Sequence, residues 1–366
     1  MTDSSATIEQ ILVGAYTIPT DAPEGDGTLQ WDSTTIVVVR AMGADRTGIG
    51  YTYADLSTAK LIESKLAAIV EGLAATAPRR AWAEMVRATR NLGRPGVTSM
   101  AISAIDLALW DLHARILEAP LCTVLGAAND RVPVYGSGGF TTYSDERLQE
   151  QLSAWVEQGI PRVKMKVGAE PDRDVDRVLA AREAIGPTTE LFVDANGALS
   201  RKEALRWADA FHEAAGVSWF EEPVSSDDLA GLRLLRDRAP AGMAIAAGEY
   251  GYDAVYFQRM LAAEAVDVLQ ADVTRCGGIT ELLRVGGLCR AHNIDLSCHC
   301  GPAIHVHPAA AIQNLAHLEY FYDHVRVEER LFDGRPELRG GALWPDLGRP
   351  GNGLELRHAD AVKFAV

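Results

Sequence analysis

Phe192-Val193-Asp194-Ala195-Asn196, Trp219-Phe220-Glu221-Glu222-Pro223 and Ala247-Gly248-Glu249 are three short, mostly apolar runs in which an acid follows the apolar residues. They recur about one strand-plus-helix unit apart. One unit earlier stands Val163-Lys164-Met165-Lys166-Val167. One unit later comes Leu269-Gln270-Ala271-Asp272, and after that Leu296-Ser297-Cys298-His299. Charged residues at strand ends with this period are what a parallel barrel delivers to a common rim. Extending the reading both ways predicts strands ending near Gly136, Lys166, Asp194, Glu221, Glu249, Asp272, His299 and Tyr320, with helices between. One of those helices opens with the capping-box pair Ser200 and Glu203. Eight strands with helical crossovers match a TIM (β/α)8 barrel, placed here at residues 129–335.

Residues 1–128 have a different texture and read as an α+β unit. Thr35 to Arg40 and Thr47 to Tyr53 are predicted strands around the Gly43-Ala44-Asp45 turn. Helices are predicted near 55–73, 79–91 and 98–118; the last carries one apolar stripe, Ile102, Ile105, Leu109, Leu112 and Ile116. Thr17 to Asp32 reads as a loop. Residues 336–366, rich in Gly and Pro, read as a tail returning across the first unit.

The bulk numbers narrow the function. A net charge of −15 disfavours nucleic acid and anionic membrane surfaces as partners. No run approaches the roughly 18 apolar residues of a membrane span. Met1-Thr2-Asp3-Ser4-Ser5 lacks the basic and apolar regions of a secretory signal. Five cysteines, an odd number, fit reduced thiols in a cytoplasm.

The rim residues suggest metal-assisted proton transfer. Asp194, Glu221 and Glu249 offer three hard oxygen donors, a set suited to Mg2+. Glu222 competes with Glu221, but strand alternation sends the two to opposite faces, and Glu221 is the expected ligand. Lys164 and Lys166 share a face. Mutual repulsion, and that of a nearby cation, is expected to favour a neutral amine able to act as a base. Asp272 and His299 on neighbouring strands form a second acid/base pair. Glu319, ending the eighth strand, either hydrogen-bonds a substrate carboxylate in its protonated form or sits in solvent. A zinc site from Cys298, His299, Cys300, His305 and His307 is disfavoured. Its spacing is wrong, and alternation turns both cysteines away from His299. Gly277-Gly278 reads as a tight strand-to-helix turn, with phosphate binding as the alternative.

At these residues the chain resembles the enolase superfamily. The Lys-x-Lys strand with the Asp272/His299 dyad looks like the mandelate racemase subgroup. The helix Ala104-Ile105-Asp106-Leu107-Ala108-Leu109-Trp110-Asp111-Leu112 is similar to the segment before that family's barrel. The resemblance implies an α+β capping domain over a modified barrel. It also implies Mg2+-assisted removal of the proton α to a carboxylate, giving an enediolate. Enolase-superfamily sites are a worked example of that strategy. By position, Lys166 matches the base, Lys164 and Glu319 the carboxylate partners, and Asn196 a substrate contact. Proteins of this type often assemble, so a homo-oligomer is expected.

Two outcomes use the same residues. If the next carbon bears a hydroxyl, His299 can protonate it as it leaves, and a sugar acid becomes a 2-keto-3-deoxy acid. Without a leaving group, His299 returns a proton from the other face, as in a racemase or epimerase. Asp21, Glu24, Asp26, Gln30 and Asp32 make Thr17 to Asp32 a polar lid, which favours a polyhydroxylated substrate. Tyr51 and Tyr53 are candidates for a second lid edge. A small carboxylic acid and a Mg-dependent hydro-lyase are therefore the expected substrate and enzyme class.

Overall fold

The computed structural model describes residues 6–366; Met1 to Ser5, read above as carrying no secretory signal, lie outside the described residues. The chain begins with an antiparallel sheet of β1 (Gln10–Gly25), β2 (Gln30–Gly43) and β3 (Arg46–Tyr53), in that order. β1 was not expected. Gly14, Pro19 and Pro23 break its alternation, yet it pairs with β2 from Gln10↔Met42 to Gly25↔Gln30. The register shifts between Pro19 and Glu24. Thr17 to Asp32 is therefore mainly the far end of a hairpin, and only its tip is a loop.

The helix Val97–Ile116 lies between this sheet and the barrel and is buried nearly all round, so the single stripe read from the sequence understates its contacts. Its apolar residues join both the sheet's core and the barrel's core. β3 approaches it through Gly48 and Gly50. A Cβ on Gly50 would fall 2.3 Å from the Ala104 carbonyl oxygen and 2.4 Å from the Ala108 nitrogen. Gly50→Ala is therefore expected to cost about 3 kcal/mol, the upper part of the usual overpacking range, readable as a lower urea midpoint.

Eight parallel strands close on themselves: β4 (Val132–Gly138), β5 (Arg162–Lys166), β6 (Glu190–Asp194), β7 (Val217–Glu221), β8 (Ala244–Ala247), β9 (Val268–Ala271), β10 (Asp295–Cys298) and β11 (Leu315–Phe321). The closing pair is β11 with β4. Ser200 and Glu203 form the expected capping box on the helix after β6. Beneath the rim the barrel is filled by Tyr135, Phe192, Trp219 and His317, with Phe192 stacked on Trp219 at 5.1 Å. This aromatic floor keeps water from rising through the barrel and sets a low-dielectric base under the charged rim.

The first sheet meets the barrel over that rim. A Cβ on Gly27, at the β1–β2 tip, would fall 2.4 Å from the Ala195 carbonyl oxygen and 2.8 Å from that of Val167. The tip thus rests on the loops after β5 and β6. After β11 the chain adds a hairpin, Glu337–Arg339 with Ala342–Trp344, to the outside of β4. It then runs back to the first unit, where Asn352 Nδ2 donates to the Ile49 carbonyl at 2.9 Å and the Asn352 backbone nitrogen donates to Asp111 Oδ1 at 2.6 Å. Among the described residues no helix is long and apolar enough to cross a membrane.

Candidate active site

Lys164 and Lys166 stand two residues apart on β5 and project into the barrel mouth together, as alternation requires. Asp194 and Glu221 end β6 and β7. Glu249 and Asp272 lie just past β8 and β9, and His299 just past β10. Gly248 makes the Glu249 position possible. Its φ is +140°, and a Cβ there would sit 2.1 Å from the Gln270 carbonyl oxygen. All of these side chains are buried.

Carboxylate oxygens of Asp194, Glu221 and Glu249 lie within 4.8 Å of one another. Lys164 Nζ donates to both Glu221 oxygens at 2.6 Å, sits 2.8 Å from Glu319 Oε1 and 3.4 Å from Asp194 Oδ2. Lys166 Nζ donates to Asp194 Oδ2 at 2.5 Å and to Asn196 Oδ1 at 3.1 Å. Burial alone pulls both ammonium groups down, but the carboxylates around them outweigh it and hold both lysines protonated above their ordinary range. The carboxylates that raise Lys166 include the three that would hold a cation, whose charge would offset theirs and favour the neutral amine. Burial and the Asp194 charge push Glu221 up to about 8 against the pull of Lys164.

His299 is held from two sides. Its Nδ1 meets Asp272 Oδ2 at 2.9 Å, and its Nε2 meets Glu249 Oε2 at 2.9 Å. Asp272 is itself fixed by the Thr274 nitrogen, which donates to Oδ1 at 2.7 Å. Burial works against an imidazolium here, but the surrounding acidic groups raise His299 well above its usual range. Burial would also raise Glu249; His299 and Arg275 instead hold it well below. Glu319 is ion-paired with Lys164. Lys164 overcomes the burial effect, and Ser137 Oγ donates to Oε1 at 2.5 Å.

The three acids suit a hard divalent cation. They converge from three consecutive strands in a buried space, supply only oxygen, and are opposed there by the two lysines, whose ammonium groups mark where positive charge is wanted. Glu222 is buried too, but its backbone turns to φ +37° and it is not in this cluster; its Oε1 has no hydrogen-bond partner.

A cavity of about 500 Å3 opens above the cluster. Lys166 and His299 reach it from β5 and β10, on opposite sides of the acids. The first sheet contributes Asp26, Trp31, Thr34 and Tyr53. Of the acids proposed for the lid, only Asp26 lines the cavity. Asp21 bonds Tyr322 Oη at 2.6 Å, and Glu24 accepts from Trp31 Nε1 at 2.9 Å. Tyr51 is buried away from the cavity with its hydroxyl on Glu328 at 2.5 Å, whereas Tyr53 stacks on His324 at the wall.

Gly277 and Gly278 have positive φ and form a tight turn; the Gly277 nitrogen donates to Ser103 Oγ, the Thr280 nitrogen just beyond donates to Asp106 Oδ2, and Asp106 lies against Gly278, where a phosphate would have to sit. His305 Nε2 accepts from the Val273 nitrogen at 2.9 Å and His307 Nδ1 from the Cys122 nitrogen at 3.2 Å, so both are structural. Cys298 points into the core. Cys300 does not turn away as alternation predicted. Its φ of +53° ends the strand pattern and brings Sγ to 3.3 Å from His299 Nε2. Arg275, Tyr250, Asp323 and His324 line the cavity as well. Tyr250, Asp323 and His324 carry no motif in the sequence.

A capped (β/α)8 barrel with a Lys-x-Lys strand, three rim acids and an Asp/His pair defines the enolase-type class of proteins. Residues 147–361 match the enolase C-terminal domain-like model, and residues 22–126 match the mandelate racemase / muconate lactonizing enzyme N-terminal domain. The chain belongs to this family. A mandelate racemase/muconate lactonizing enzyme-like protein from Rubrobacter xylanophilus superimposes with a TM-score of 0.97 at 58% identity, covering 98% of this chain and 100% of that one. A racemase from Streptomyces coelicolor A3(2), solved with bound magnesium, gives 0.92 at 30% identity, with 98% and 100% covered. The L-talarate/galactarate dehydratase of Salmonella typhimurium is 30% identical over 350 residues, 92% of this chain and 86% of the relative.

Proposed function

We propose that this chain removes the proton α to the carboxylate of a sugar acid and expels water from the next carbon, giving a 2-keto-3-deoxy acid. One observation carries this reading: Lys166 and His299 enter a single cavity from opposite sides of a three-carboxylate cluster. Asp194, Glu221 and Glu249 would hold Mg2+, which when bound supplies the positive charge that stabilises an enediolate. Lys166, as the neutral amine that a cation on these acids would favour, takes the α-proton. Lys164, with Glu319 beside it, binds the substrate carboxylate, and Asn196 contacts the substrate near Lys166. Asp272 fixes His299 so that Nε2 faces the cavity, where it protonates the departing hydroxyl.

Dehydration is preferred to racemisation because of the cavity wall. Asp26, Ser33, Thr34, Asp55 and Asp323 offer many hydrogen-bond partners, as a polyhydroxylated chain needs. Likeness to the magnesium-bound racemase favours the second reading, in which His299 returns a proton to the same carbon. The Mg2+-loaded protein should be incubated with a panel of aldonic and aldaric acids in D2O. The first reading expects a 2-keto acid with at least one of them. Deuterium at C2 without keto acid would support the racemase, and neither product from any acid would overturn both.

A further inference from the structure

Cys300 reaches the rim through a left-handed residue, with φ +53°. Its Sγ lies 3.3 Å from His299 Nε2 and 3.3 Å from Glu319 Oε2, and those two atoms are 3.5 Å apart. Zinc bonds of about 2.3 Å to sulfur and about 2.0–2.2 Å to nitrogen and oxygen, at tetrahedral angles, hold such donors about 3.4–3.6 Å apart. The three atoms thus already outline one face of a zinc tetrahedron.

The groups behind them are arranged for the same purpose. Asp272 holds His299 Nδ1 at 2.9 Å, the support commonly found behind metal-binding histidines, and Nε2 meets Glu249 Oε2 at 2.9 Å, a contact that the metal would replace. The other oxygen of Glu319 is taken by Ser137 and Lys164, while Oε2 accepts from the Cys300 nitrogen at 3.2 Å and faces the sulfur. All three residues are buried and line the cavity, so a fourth position opens toward a ligand or water. A thiol and an imidazole also distinguish this set from the all-oxygen cluster next to it, which suits a harder cation.

We infer that Cys300, His299 and Glu319 form a second metal site, selective for a thiophilic divalent cation such as Zn2+, whose occupation switches turnover off. Binding forms bonds from the metal to Sγ, Nε2 and Oε2 and releases to solvent both the Cys300 thiol proton and the proton that His299 carries on Nε2, with no change of oxidation state. It occupies the His299 Nε2 whose proton the proposed reaction delivers to the departing hydroxyl, so the inhibitory part rests on that reading; the metal site itself does not.

The test uses Mg2+-saturated full-length protein and the Cys300→Ser and Cys300→Ala variants, with folding checked by circular dichroism. Co2+ serves as the spectroscopic probe and Zn2+ as the inhibitor. Wild type should give a near-ultraviolet thiolate-to-cobalt band that saturates at one equivalent, is bleached by Zn2+, and is missing from both variants. Zn2+ inhibition should weaken about tenfold or more in the variants, a scale that even outer-shell changes reach. No band in wild type, or a band unchanged in the variants, overturns the site. Equal inhibition of all three proteins overturns the switch and places zinc at the acid cluster instead. A cysteine-dependent band with turnover untouched by Zn2+ overturns the role given to His299 and leaves the metal site standing.

Discussion

Lys166→Met is expected to slow α-proton exchange by about 10²–10⁴-fold, the usual contribution of a positioned general base. The reason lies in how β5 presents the side chain. Lys166 Nζ sits 3.1 Å from Asn196 Oδ1 and 2.5 Å from Asp194 Oδ2, between a proposed substrate contact and a proposed metal ligand. A base on the opposite flank, His299, reaches the other face of the α-carbon and cannot substitute for it without inverting the stereochemistry. Methionine keeps much of the buried methylene volume and removes only the amine. Exchange measured by NMR in D2O, beside an unchanged melting profile, checks the effect. A variant that folds and exchanges at the wild-type rate removes Lys166 from its role.

The second large effect concerns the acids. Glu221→Ala removes the central member of the cluster, between Asp194 on β6 and Glu249 beyond β8. It is expected to weaken Mg2+ binding, read by calorimetry. It is also expected to lower turnover by about a thousandfold, since a Lewis-acidic cation is worth several kcal/mol to a developing enolate. Loss of Glu221 also frees Lys164, whose ammonium group donates to both of its oxygens. Part of the defect should therefore appear as weaker carboxylate binding, a raised KM. Excess Mg2+ should rescue the metal deficit but not that part.

Much of this was legible because the barrel repeats. A period shared by Lys166, Asp194, Glu221, Glu249, Asp272 and His299 gives strand order and side-chain direction without any coordinates. Where local conformation departs from the repeat, reading fails. β1 was invisible because its glycine and prolines obscure the alternation, and only its pairing with β2 makes it a strand. Cys300 was sent to the wrong face because a positive φ is not announced by a cysteine. The wall residues Asp323 and His324 depend on how the first sheet closes over the barrel. Thr34, for instance, bonds Asp323 across a large separation in sequence. Such contacts have no local periodicity to reveal them. The surroundings of the lysines are hidden for a similar reason. Repulsion between two neighbours on one strand is visible, but the four carboxylates that between them raise the two lysines come from other strands.

Solvent-deuterium uptake at C2 of an aldaric acid that the protein accepts, followed before EDTA, after EDTA and after Mg2+ is restored, tests most directly whether these acids work through a cation. Uptake should stop with EDTA and return with Mg2+. Uptake that continues unchanged in EDTA would show that the carbanion forms without a metal, and the role given to Asp194, Glu221 and Glu249 would be wrong.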